Sequence, residues 1–102
     1  MIQVERSEVG YIDAASLNAK EDFKKVLRQQ LFDLIIDCNN IIPDTSILSE
    51  IYLFQKKNNR CLVLILPLEK KSNYPEYLNL VPTKTEALDF ISFEQIQRDL
   101  GF

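Results

Sequence analysis

Three observations predict an α/β fold with a small, mixed, largely parallel sheet and helices packed on it. Two short apolar runs, 34–36 and 61–66, show no polar alternation and read as strands covered on both faces. An amphipathic helical segment lies between them, and strand, helix, strand within about 30 residues makes a parallel βαβ unit. The 102 residues hold only two Gly and four Pro, so no linker divides them and one domain is expected over 1–102.

Taken in order, Ile2 and Val4 alternate with Gln3 and Glu5, and apolar character resumes at Val9 to Ile12 around Gly10. This predicts one half-buried strand with a bend at the glycine. Asn18 and Glu21 form a weak capping pair before Phe23, Val26, Leu27 and Leu31, the spacing of a helix from about Lys20 to Leu31. Phe32 to Asp37 is a central strand. Asp44, Thr45 and Ser46, all N-cap residue types, precede Ile47, Leu48, Ile51 and Phe54, which share one face of a second helix. That helix should end at Asn58-Asn59, residues that tolerate a left-handed conformation.

Arg60 to Leu66 is the most strand-like run of the chain, and Glu69 to Tyr77 reads as a loop. Leu78 to Val81 forms a brief strand stopped by Pro82. Thr83 and Glu86 then make a capping box for a helix bearing Ala87, Leu88 and Ile91. Ser92 and Gln95 form a second such box, which predicts a break and a separate helical extension over 92–102. Its stripe of Phe93, Ile96 and Leu100, with Phe102 beyond, is expected to pack on the sheet, with a partner groove as the alternative if the stripe is exposed.

Composition narrows function. With 12 Lys plus Arg against 15 Asp plus Glu, the net charge of -3 offers no footprint for a phosphate backbone or an anionic lipid surface. Nucleic acid is not an expected partner, and no apolar run approaches the ~20 residues that span a bilayer. The chain has no His, which removes the commonest general base and metal ligand together with Ser/His and Cys/His nucleophile pairs. Cys38 and Cys61 sit inside apolar runs without ligand spacing, so buried free thiols are expected. Together with a chain start that has no basic-then-apolar leader, they predict a cytoplasmic protein. Asp13, Asp37 and Asp44 fall at strand ends and at a helix start, where paired carboxylates can hold magnesium or act as acid and base. No Gly-rich phosphate loop or third ligand type accompanies them. The expectation is solvated carboxylates, no metal, no cofactor and no enzyme.

Asp33-Leu34-Ile35-Ile36-Asp37 followed by Asp44-Thr45-Ser46-Ile47-Leu48 resembles the STAS domain of bacterial anti-sigma-factor antagonists. Gly10-Tyr11-Ile12-Asp13 is similar to the family's Gly-x-Leu-Asp element, Arg60 to Leu66 to its fourth strand, and Val81-Pro82-Thr83 through Glu86-Ala87-Leu88 to its last strand and helix start. The order of these motifs covers 10–91. The resemblance implies a regulatory protein-interaction module, docking through Asp44, Thr45, Ser46, Ile47 and Leu48, with Thr45 and Ser46 as phosphoacceptor candidates for a kinase-like partner. It also admits a constitutive scaffold beside a transport ATPase. Two departures stand out. Ile47 occupies the position of the family's glycine, and the chain leaves room for one strand before the Gly-x-x-Asp element where many members have two. The second departure predicts an exposed sheet edge through which two copies pair.

Overall fold

The computed structural model describes residues 3–6, 8–15, 32–41 and 43–101. The helix expected over Lys20 to Leu31, with its Asn18 and Glu21 cap, lies outside them. The described chain forms β1 (Gln3–Arg6), β2 (Val9–Asp13), β3 (Asp33–Asp37), α1 (Thr45–Lys57), β4 (Leu62–Ile65), a 3-10 helix (Leu68–Asn73), β5 (Asn79–Val81) and α2 (Lys84–Asp99). The five strands make one sheet in the order β1-β2-β3-β4-β5. β1 runs antiparallel to β2, and the other neighbours pair in parallel. The predicted α/β class and mixed, largely parallel sheet are what the chain adopts.

Buried strands need two covers, and the period of two in the strands supplies two apolar faces. Ile12, Leu34, Ile36, Leu62 and Leu64 point to one side and pack with Leu48 and Ile51 of α1. Val9, Ile35, Val63 and Ile65 point to the other and meet Ala87 and Ile91 of α2. The two helices thus lie on opposite faces of the sheet. The 3-10 segment returns the chain from β4 to β5 and is drawn onto α1 by the tyrosines that follow it. The Tyr77 ring lies 4.8 Å from that of Tyr52, tilted by 47°, and its hydroxyl lies 2.5 Å from that of Ser49.

Three expectations are corrected. The described residues up to Asp13 do not form one bent strand: the chain reverses before Val9, with Glu8 in the left-handed region at φ 62, and β1 folds back on β2. A left-handed Glu is an unfavourable local choice, so the turn had no Gly or Asn to announce it. β2 is consequently covered by β1, and the sheet edge expected to be open at β2 is occupied. The break expected at Ser92 is also absent. α2 runs unbroken from Lys84 to Asp99, so residues from 92 onward are its second half and not a separate extension. Ser92 is tolerated in mid-helix because the turns on either side are held to the sheet, by Ile91 in the core and by Gln95 and Arg98 at its end.

Candidate functional site

Parallel strands direct their carboxyl ends to one edge of the sheet, and at that edge β3 hands over to α1. Asp13 and Asp37 are direct neighbours there in the β2–β3 register. Each closes a local turn: Asp13 Oδ1 accepts the Ala15 amide at 2.9 Å, and Asp37 Oδ1 accepts the Asn39 amide at 3.0 Å. The second Asp37 oxygen accepts the Tyr11 hydroxyl at 2.5 Å. Asp44 stands apart as the N-cap residue of α1, its extended backbone turning the chain into the helix. Among the described residues no three His, Cys, Asp or Glu side chains gather as a metal-holding group.

The N-cap is Asp44, whose carbonyl accepts the Ile47 and Leu48 amides at 3.0 and 3.1 Å, but whose side chain makes no cap bond. Thr45 and Ser46 are the first two residues of the helix proper, and both are exposed. Capping, the structural reason the sequence offers for these two hydroxyl residues, therefore falls to their neighbour. Ile47 is half-buried and packs on the α1-side core, while Leu48 is fully buried in it. Leu48 thus anchors the helix and presents no surface to a partner, because the first turn of an amphipathic helix must send one side chain inward. The exposed part of the predicted docking surface is Asp44, Thr45 and Ser46, beside the exposed Ile41.

The opposite edge holds a group that the motifs did not single out. Asp33, the first residue of β3, is fully buried. Its Oδ1 accepts the Cys61 amide at 3.0 Å, and its Oδ2 accepts Gln95 Nε2 at 2.9 Å and Arg98 at 2.5 Å. Arg60 approaches the same oxygen at 3.7 Å and also donates to Glu8 at 3.1 Å. Arg98 further donates to the Asn59 carbonyl at the end of α1. Burial by itself would push the Asp33 carboxyl up, but the bonds from Arg98, the Cys61 amide and Gln95, with the Arg98 charge, outweigh it and hold the carboxyl below its usual range. Arg98 is in turn held charged by its bond to Asp33. A charged residue opening an apolar run was the available sequence signal. Its arginine partners lie 27 and 65 residues away, beyond the reach of periodicity.

An open cleft of about 390 Å³ lies over this network, lined by Glu8, Asn58, Asn59, Arg60, Gln95 and Arg98 among others. Both arginines are already engaged by carboxylates, so neither is free to bind an anion in the cleft. Nearby, Gln55 is buried and bolts the end of α1 to the sheet, donating to the Phe32 and Cys61 carbonyls at 2.6 and 3.0 Å. Both cysteines are free. Burial, with Asp37 and Asp13 close by, pushes the Cys38 thiol up to about 12, and burial beside Asp33 pushes the Cys61 thiol higher still. Neither is an activated nucleophile. Among the described residues no helix is long and apolar enough to cross a membrane.

No family model, curated protein or solved structure matches this chain.

Proposed function

We propose that the protein is a non-enzymatic, cytoplasmic regulatory module that docks a partner protein against the start of α1 and is switched by phosphorylation at Thr45 or Ser46. The observation that carries this reading is the placement of two exposed hydroxyls on the first turn of α1 while Asp44 supplies the cap. The STAS resemblance of 33–48 points to the same two residues. A phosphate there would face the helix's unpaired amides and the positive end of its dipole, so the fold would accept it. The same group would set about -1.5 to -2 charges in the partner's contact surface and release the partner by repulsion and desolvation cost.

One observation favours the constitutive scaffold, as beside a transport ATPase. Ile47 fills the family's glycine position with a β-branched side chain packed on the core, narrowing a kinase's approach to Thr45 and Ser46.

The test is affinity enrichment of the tagged protein from its own cells, with quantitative mass spectrometry of the partners and of the peptide spanning 45 and 46. A phosphopeptide, with a kinase-like partner lost from Thr45→Asp and Ser46→Asp, supports the switch. A steady partner without a phosphopeptide supports the scaffold. The control is Lys57→Gln, which makes the same change of net charge at the far end of α1. Equal recovery with wild type, both helix-start variants and the control would overturn docking at this edge.

A further inference from the structure

Helix α2 is apolar on two opposite sides. Ala87 and Ile91 face the sheet and are fully buried, whereas Phe93, Ile96 and Leu100 are 60%, 57% and 65% exposed. At 100° per residue these three share one outward line, about 10 Å long, opposite the buried one. The sequence led us to expect this stripe on the sheet. The structure puts Gln95 and Arg98 on the inward side instead, where both reach the buried Asp33 carboxylate. The clasp fixes the second half of α2 so that its apolar line cannot roll inward. A rigid helix holding a phenylalanine, an isoleucine and a leucine in water is a preformed docking ridge.

We infer that this ridge inserts into an apolar groove, rimmed by Lys or Arg, on another protein, at a surface distinct from the start of α1 and on the opposite face of the sheet. Two features select that occupant over a second copy of the chain. The first is charge: Glu86, Asp89 and Asp99 are exposed along α2, while its two cations are committed, Lys84 over the Tyr11 ring at 4.4 Å and Arg98 to Asp33. Two copies would gather six carboxylates around one small contact, whereas a basic rim would neutralise three. The second is shape. A ridge of three side chains about 10 Å long, set against its own copy, covers well short of the ~800 Å² a side of a standard interface, whereas a groove also covers the flanks of the helix.

The experiment places a photo-crosslinking benzoylphenylalanine at Ile96 in the full chain within its own cells and maps the crosslinked peptide. In parallel, the purified protein is sedimented at up to about 300 µM, a range that reveals even weak self-association. The expected result is a monomer, and a crosslink to a different polypeptide at a segment flanked by Lys or Arg. The crosslink yield should fall roughly tenfold in Glu86→Lys/Asp89→Lys, which reverses the carboxylates that face the basic rim, and stay unchanged in Lys57→Gln. Phe93→Ser should keep the wild-type thermal midpoint, because the side chain is exposed, while abolishing the crosslink. A crosslink joining two copies of the chain, or a dimer dissolved by Ile96→Ser, would overturn the proposal in favour of a homodimer, and a crosslink within one copy alone would overturn it in favour of an intramolecular cover. No crosslink, a crosslink indifferent to the charge reversal, or one to an acidic segment would overturn it outright.

Discussion

Asp33 is the residue that ties together the edge of the sheet opposite the strands' carboxyl ends, joining β3, the start of β4 and the end of α2. Asp33→Asn would leave Arg98 and Arg60, each about one-fifth exposed, without their buried counter-charge. Removing one member of a buried pair costs about 3–5 kcal/mol, and access of both guanidinium groups to water places this case near 3 kcal/mol. Urea unfolding at neutral pH checks it. Because the folded carboxyl titrates below its unfolded value of ~4, the unfolded state binds more protons in the interval between the two. The carboxylate's contribution is therefore complete above pH ~4 and is lost as pH falls through the folded value. Wild type should lose stability in that window more steeply than Asp33→Asn, and parallel acid limbs would contradict the assignment. The thiols give a second residue-level outcome. With Cys38 pushed up to about 12 and Cys61 higher, thiol reagents at pH 8 should label the native protein on the order of a hundredfold more slowly than the unfolded one.

The helix starts separate two kinds of cap. Thr83 accepts the Glu86 amide at 3.2 Å through its side chain, as the capping box predicted, whereas Asp44 contributes backbone turning and charge without a side-chain bond. Thr83→Ala should therefore cost about 1 kcal/mol and Asp44→Ala less, nearer 0.5 kcal/mol, in denaturant midpoints. A larger loss for Asp44→Ala would mean that its carboxylate caps α1 in solution. The same contrast explains what the sequence could show. Strands at 33–37 and 62–65, the span of α1 to Asn58 and the cap at Thr83 all follow from local chemistry: apolar runs, a 3.6-residue stripe and turn residues. The β1–β2 reversal did not, because its left-handed residue is Glu8 and not a glycine. The length of α2 did not either, because Ser92 and Gln95 imitate a helix start, and the bond that draws Gln95 inward runs to a strand 62 residues earlier. At the candidate site the sequence located the exposed hydroxyls, but the assignment of the cap to Asp44 and of Leu48 to the core needed the packed structure.

At the scale of the molecule, a central parallel sheet holds α1 and α2 on opposite faces, so the start of α1 and the outer side of α2 point away from each other. The described core is committed to packing, and at the strands' carboxyl edge the Asp13 and Asp37 carboxylates are committed to local turns. The proposed partner sits on the exposed surface at the strands' carboxyl edge, around Ile41 and Asp44 to Ser46. Hydrogen–deuterium exchange of the protein alone and with its co-purified partner measures that directly, because docking slows the opening of the backbone that it covers. The account predicts slowed exchange across 41–51 in the complex, reversed when Ser46→Asp is mixed with the same partner. Unchanged exchange across 41–51, with protection confined to other segments, would contradict it.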